Sequence, residues 1–99
     1  MSDLHREILV CYDIECDKRR SKLFDALKDI GLLPVQKSVF WGDVTVAERK
    51  AIQREFLRLL DAKMDRALVV DVHLRASSAT NSFGYGPADF PPMTEHHVL

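Results

Sequence analysis

Asp13 is the residue on which chemistry in this 99-residue chain could most readily turn. It closes the apolar run EILVCYDI, residues 7–14, and an acidic and basic loop follows it. A carboxylate at a strand end can hold Mg²⁺, which takes oxygen ligands and usually keeps several waters. The plainer role is a carboxylate that caps the turn into the next element. Just beyond it, Lys18, Arg19, Arg20 and Lys22 form a basic cluster. Residues 17–28 carry five positive and two negative side chains, a local net of +3. Basic groups beside a carboxylate suit a phosphodiester backbone: the cations neutralise phosphates while the acid holds a metal. A solvated helix face is the alternative, although cations in a first helical turn oppose the helix dipole.

Other residue groups carry weaker signals. Gln36, Lys37, Ser38, Phe40 and Trp41 place polar and aromatic side chains in one extended stretch. Such a mix can contact sugar-phosphate or stack on bases, but aromatic residues in a strand more often serve a core or an interface. Asp71 and His73 lie two apart, a spacing that suits a metal site and suits a polar strand edge better. His96 and His97 fall in a loose C-terminal stretch. Cys11 and Cys16 lack the further ligands of a zinc site or a disulfide framework, so both are expected to be reduced and without function. Ser-His-Asp arrangements, phosphate-binding glycine loops and paired CxxC motifs are absent from the sequence.

The chain has the size of one domain and the composition of an ordinary globular protein, 46% hydrophobic and 29% charged. A net charge of −1 confines any nucleic-acid surface to a local patch. The polar N-terminus is unlike a signal peptide, and no apolar run reaches the roughly 20 residues needed to span a bilayer. A cytoplasmic protein with no membrane contact is expected.

The elements that would position these residues follow from periodicity. In residues 7–14, Ile8, Val10, Tyr12 and Ile14 alternate with Leu9, Cys11 and Asp13, as in a strand. Residues 17–30 place Leu23, Leu27 and Ile30 on one helical face, with Phe24 beside them, Asp17 as the expected N-cap and Gly31 as the stop. Residues 33–43 are extended, either as one bent strand or as two joined near 36–38. Thr45 and Glu48 fit a capping box that opens a helix with an apolar stripe of Ile52, Phe56, Leu59 and Leu60 and an end near Lys63. Residues 66–74, RALVVDVHL, alternate again. From Ala76 the composition turns to Ser, Asn, Gly and Pro, and Pro87, Pro91 and Pro92 argue against regular helix.

The expected organisation is therefore a ferredoxin-like domain over residues 1–75. Residues 76–99 would form an extended tail with room for one short strand. The fold class is α+β, with a βαββαβ order and an antiparallel sheet covered by two helices on one face. The first strand is apolar on both faces, so the uncovered face calls for a partner, and a two-fold homodimer is the commonest solution. Such a dimer would bring two copies of Asp13 toward its axis.

Tyr12-Asp13-Ile14, then Asp17-Lys18-Arg19-Arg20, Leu23 and Leu27, Gly31-Leu32, Val35-Gln36-Lys37-Ser38-Val39-Phe40 and the capped helix at Thr45 resemble the CRISPR-associated Cas-two (Cas2) family from about Ile8 to Leu60. The resemblance implies a homodimer whose sheets face each other and a Mg²⁺ site at Asp13, the implied catalytic residue. It implies that Arg19, Arg20 and Phe40 take the family's basic and aromatic positions, with Ser38 between them and Lys22 in the same basic cluster. It further implies metal-dependent endonuclease (phosphodiesterase) activity on RNA or double-stranded DNA, and a role as the bridge between Cas-one integrase dimers in spacer acquisition. Two alternatives stand beside this one: a non-catalytic scaffold that holds DNA and docks the integrase, and a free-standing toxin-like ribonuclease of the same fold. Trp41 departs from the family pattern, standing where many members carry an acid. ALVVDVHL also departs from it, lacking the usual Arg and Tyr before its Leu.

Overall fold

The computed structural model describes residues 4–92. Four strands form one antiparallel sheet: β1 (Arg6–Asp13), β2 (Leu33–Gln36), β3 (Val39–Val44) and β4 (Arg66–Asp71). Their order across the sheet is β2-β3-β1-β4. Helix α1 (Asp17–Ile30) follows β1, and α2 (Val46–Leu59) follows β3. The order and pairing are those of the ferredoxin-like α+β fold that the sequence predicts. Both helices lie over the face that carries Ile8, Val10 and Tyr12, and with Leu23, Leu27, Phe40, Val44 and Ile52 these residues make the core.

Local chemistry sets the boundaries. Gly31 ends α1 in the left-handed region at φ 114°, where its N–H reaches back to the Leu27 and Lys28 carbonyls. Only glycine adopts that conformation without a Cβ penalty. The N-cap of α1 is Cys16, not Asp17; the Asp17 carboxylate instead pairs with Arg20, one turn on. The capping box of α2 is present, with the Glu48 N–H donating to Thr45 Oγ1 at 3.1 Å and the Thr45 N–H donating to Glu48 Oε1 at 2.9 Å. Helix α2 stops at Leu59, four residues before the expected end. Beyond it, the Asp61 side chain accepts the Lys63 and Met64 N–H groups in a tight turn. Residues 33–44 are two strands, not one, joined by a turn at Lys37 and Ser38. Gly42 permits close packing there, since a Cβ would sit 2.8 Å from Leu32 Cγ.

The C-terminal third differs most from expectation. β4 ends at Asp71, three residues before the expected strand end, and Leu74–Asn81 form a third helix, α3, running into the segment from Ala76 where an extended tail is predicted. A short 3₁₀ turn, Pro87–Asp89, follows. The helix start is fixed from outside its own sequence: Glu7 Oε2 accepts the N–H groups of Leu74 and Arg75 at 2.5 and 3.0 Å. A carboxylate there both satisfies orphan donors and complements the helix dipole. The strand allowed for in the tail, if it falls within residues 93–99, lies outside the described residues. No helix among the described residues is long and apolar enough to cross a membrane.

The second face of the sheet is thus not wholly uncovered, as the sequence suggests. Over Trp41 and Asp43 the chain's own segment folds back, with Phe90 5.4 Å from Trp41 between ring centroids. At the other end of the same face, Leu68 and Val70 remain 53% and 43% exposed, beside the half-buried Leu9 and Cys11.

Candidate nucleic-acid interface at the end of the first strand

Asp13 is the last residue of β1 and is exposed. It lies on the face opposite the helices, because Tyr12 before it and Ile14 after it are both buried. Its partner across the ladder is Arg66, the first residue of β4. Both residues line a shallow cavity of about 300 Å³ together with Cys11, Tyr12, Ala67 and Leu68. No ion pair engages Asp13 among the described residues.

The two arginines that the sequence offers as phosphate grips are both engaged, Arg20 with the loop after Asp13 and Arg19 with Asp65. Arg20 Nη1 donates to the Ile14 carbonyl at 2.9 Å and to the Glu15 carbonyl at 3.4 Å, and its Nη2 pairs with Asp17. Arg19 donates through Nε and Nη2 to the two carboxylate oxygens of Asp65, at 2.7 and 3.2 Å. The Asp65 side chain is 1% exposed and also accepts the Asp61 N–H. This bidentate Arg19 contact, with the Asp61 N–H, holds the Asp65 carboxyl below the usual range. The same contact raises Arg19 above its ordinary value. Cys16, in the N-cap position, has its thiol lowered by the Arg19 and Lys18 backbone N–H groups and by the Arg19 charge, against partial burial.

The remaining candidates separate. Ser38 comes close to the site, since its carbonyl accepts the Tyr12 N–H at 3.1 Å. Burial pushes the Tyr12 phenol up, and the Arg20 charge opposes that shift. Lys22 is exposed but lines the groove between α1 and α2, with Asp25, Asp29, Glu55 and Arg58. It does not meet Asp13 there. Phe40 needs correction as a stacking residue: it is 0% exposed, its ring edge-on to Phe24 at 5.1 Å and 6.3 Å from Tyr12. Its position on β3 points it under the helices, so it serves the core. Trp41 faces the opposite way and is also buried, donating from Nε1 to Glu7 at 2.9 Å. Asp71 and His73 do not build a metal site. Asp71 pairs with Arg49, which holds its carboxyl below the usual range, and His73 stands at the N-cap position of α3. His96 and His97 lie outside the described residues.

Two features escape sequence reasoning. Arg66 reaches the site through strand register, which no local spacing encodes. Asp65 stands beside it in sequence, and only the packing of the 61–65 turn against α1 identifies it as the anchor of Arg19.

Among the described residues, no group of three or more His, Cys, Asp or Glu side chains gathers to hold a metal. A lone exposed carboxylate does not make a protein cage. It does suit Mg²⁺, which commonly binds through one or two carboxylates and completes its shell with water and substrate phosphate.

Comparison with known proteins identifies the family. The profile of the family described as CRISPR associated protein Cas2 matches residues 6–79. The chain is 39% identical over 93 residues to a protein of Francisella tularensis subsp. novicida named CRISPR-associated endoribonuclease Cas2 1, covering 94% of this chain and 95% of that one. It is 42% identical over 74 residues to a CRISPR-associated endoribonuclease Cas2 of Desulforudis audaxviator, with 72% and 70% covered. Among solved structures, Streptococcus pyogenes Cas2 superposes with a TM-score of 0.66 at 26% identity, over 79% of this chain and 99% of that one. A hypothetical protein of Thermus thermophilus gives the same TM-score at 36% identity, with 70% and 83% covered. Shared sequence over most of its length and a shared fold make this chain a member of the CRISPR-associated Cas2 family.

Proposed function

We propose that the protein is a cytoplasmic, homodimeric adaptor of CRISPR spacer acquisition. It binds nucleic acid, bridges the Cas-one integrase and hydrolyses phosphodiesters with Mg²⁺ at Asp13. The observation that carries this reading is the Asp13 carboxylate itself, exposed at the end of a strand whose Ile8, Val10 and Tyr12 are buried, and engaged by no ion pair among the described residues. The names of the relatives, endoribonucleases, favour RNA as the substrate of that activity. When bound, Mg²⁺ would supply an activated water and neutralise charge developing on the phosphate. Asp13 would hold the ion, one carboxylate from each subunit. Arg20 fixes the loop after Asp13, Arg19 ties α1 to Asp65, and Ser38 lies beside Tyr12; Lys18 and Lys22 would meet the backbone from α1. The exposed Leu68 and Val70, beside Leu9 and Cys11, offer the apolar surface on which two sheets would meet.

A scaffold without catalysis is favoured by one observation, the absence of any three-residue ligand group among the described residues. An Asp13→Ala variant separates the two readings when cleavage and spacer integration are assayed independently. Loss of Mg²⁺-dependent cleavage by about a hundredfold or more, with integration intact, is the expected outcome and gives the bridge the biological role. A wild-type protein that cleaves neither RNA nor DNA with any divalent ion or pH would end the nuclease reading.

A further inference from the structure

We infer that Arg66 is a substrate-binding residue of the Asp13 site, gripping a non-bridging oxygen of the phosphodiester whose other side is turned to Asp13. This rests on the reading above that this end of the sheet meets nucleic acid. The register makes the two residues direct neighbours across β1 and β4. Such pairs place their Cβ atoms about 4.5–5.5 Å apart on one face. Both side chains are exposed, and both line the same cavity of about 300 Å³.

A facing carboxylate and guanidinium ordinarily close on each other. Here no ion pair joins them. Arg66 Nη1 donates to the Asp65 carbonyl at 3.2 Å, which orients the guanidinium without neutralising it. The adjacent carboxylate of Asp65 is already taken by both Arg19 donors. Arg66 therefore keeps most of its N–H donors for a ligand. A guanidinium fork matches a phosphate in shape and charge.

The other two arginines at this end are already engaged. Arg20 donates to the Ile14 and Glu15 carbonyls and to Asp17, and Arg19 donates to Asp65. Of the three, Arg66 is the one that shares a cavity with Asp13. An anionic phosphate could not approach Asp13 alone; a guanidinium beside the carboxylate offsets that repulsion. The same guanidinium repels a metal bound to Asp13 before substrate arrives. Arg66 should therefore favour phosphate and disfavour free metal, two effects of opposite sign from one side chain.

The test uses Arg66→Gln in the full chain. A fluorescein-labelled RNA of about 20 nucleotides, longer than a typical single-strand binding site, is titrated in EDTA over a salt series. Mn²⁺ alone is titrated separately by electron paramagnetic resonance. Arg66→Gln should bind the RNA roughly tenfold more weakly. Its slope of log affinity against log salt should be shallower by about 0.7 for each phosphate no longer neutralised. Mn²⁺ should bind about threefold more tightly. Arg66→Lys should recover part of the RNA affinity, and all three proteins should share one melting temperature. A purely structural Arg66 would lower the melting temperature and leave the salt slope and Mn²⁺ affinity unchanged, which overturns the assignment. If Lys18→Gln/Lys22→Gln weakens RNA binding and Arg66→Gln does not, only Arg66 is removed from the site. If the wild type binds neither RNA nor DNA, the nucleic-acid reading falls and Arg66 falls with it.

Discussion

The face of the sheet away from α1 and α2 has two ends of opposite character. At one end, Arg75 donates from Nη2 to Asp43 at 2.6 Å and from Nε to the Phe90 carbonyl at 3.0 Å, over the Trp41 ring. Glu7 joins the start of α3 to Trp41, and Tyr85 donates to the Val35 carbonyl at 2.6 Å. The Glu7, Asp43 and Arg75 side chains there are all partnered, the buried Ser78 hydroxyl of α3 being an exception, and the aromatic rings interlock. At the other end, Asp13 and Arg66 face each other without pairing, beside exposed Leu68 and Val70. Buried polar groups must be satisfied to be stable. Exposed charges held near each other but not joined contribute little to folding and remain available to a ligand. The first end is tied together by its own side chains, and the second leaves charged and apolar groups exposed.

The largest difference should come from the closed end. Phe90→Ala removes a ring that is 1% exposed and packed on Trp41 and Tyr85, and should cost about 3–5 kcal/mol by urea unfolding. If it costs under about 1 kcal/mol, the C-terminal segment is not part of the cooperative fold and the contrast between the two ends collapses. Arg75→Gln should follow at about 2–3 kcal/mol, since it strands the buried Asp43 carboxylate and two carbonyls. Amide exchange should locate the damage in residues 74–91, while β1 and β3 stay protected.

The anchor behind Asp13 should show itself in acid. Asp65 has a folded pKa below its unfolded value because of Arg19. Its contribution is therefore present above the unfolded carboxylate pKa and is lost as pH falls through the lowered folded value. Arg19→Gln removes the cause of that shift. In parallel thermal scans from about pH 7 to about pH 2.5, the melting temperature of the variant should drop less than that of the wild type. An equal drop would mean the ion pair contributes nothing to the acid limb. Smallest in folding terms is Leu68→Lys on the open end, expected within about 0.5 kcal/mol of the wild type. Under the homodimer proposed above, light scattering at micromolar concentration should nevertheless show the variant monomeric and the wild type dimeric. A dimer that survives it would place the subunit contact elsewhere.

Much of this molecule is written in local sequence. Alternation in residues 7–14 defines β1 and which of its residues are buried. Gly31 stops α1, and Thr45 with Glu48 starts α2, because each signal acts within one turn of chain. The place of Asp13 at the end of β1 is legible for the same reason. The βαββαβ order then leaves few ways to pair the strands.

What the tertiary structure decided is whatever depends on residues far apart in the chain. Helix α3 is invisible in LRASSATN, which lacks an apolar stripe and a local cap, because its first N–H groups bind Glu7. Phe40 and Trp41 look alike in sequence, and only strand register sends one beneath the helices and the other beneath Phe90. Arg19 and Arg20 look like free cations until Asp65 and the 14–17 loop claim their donors. Arg66 looks like the polar start of a strand until pairing with β1 sets it opposite Asp13. Side-chain type fixes what a residue can do, but burial and partners are set by long-range pairing, and these decide which charges remain for a ligand.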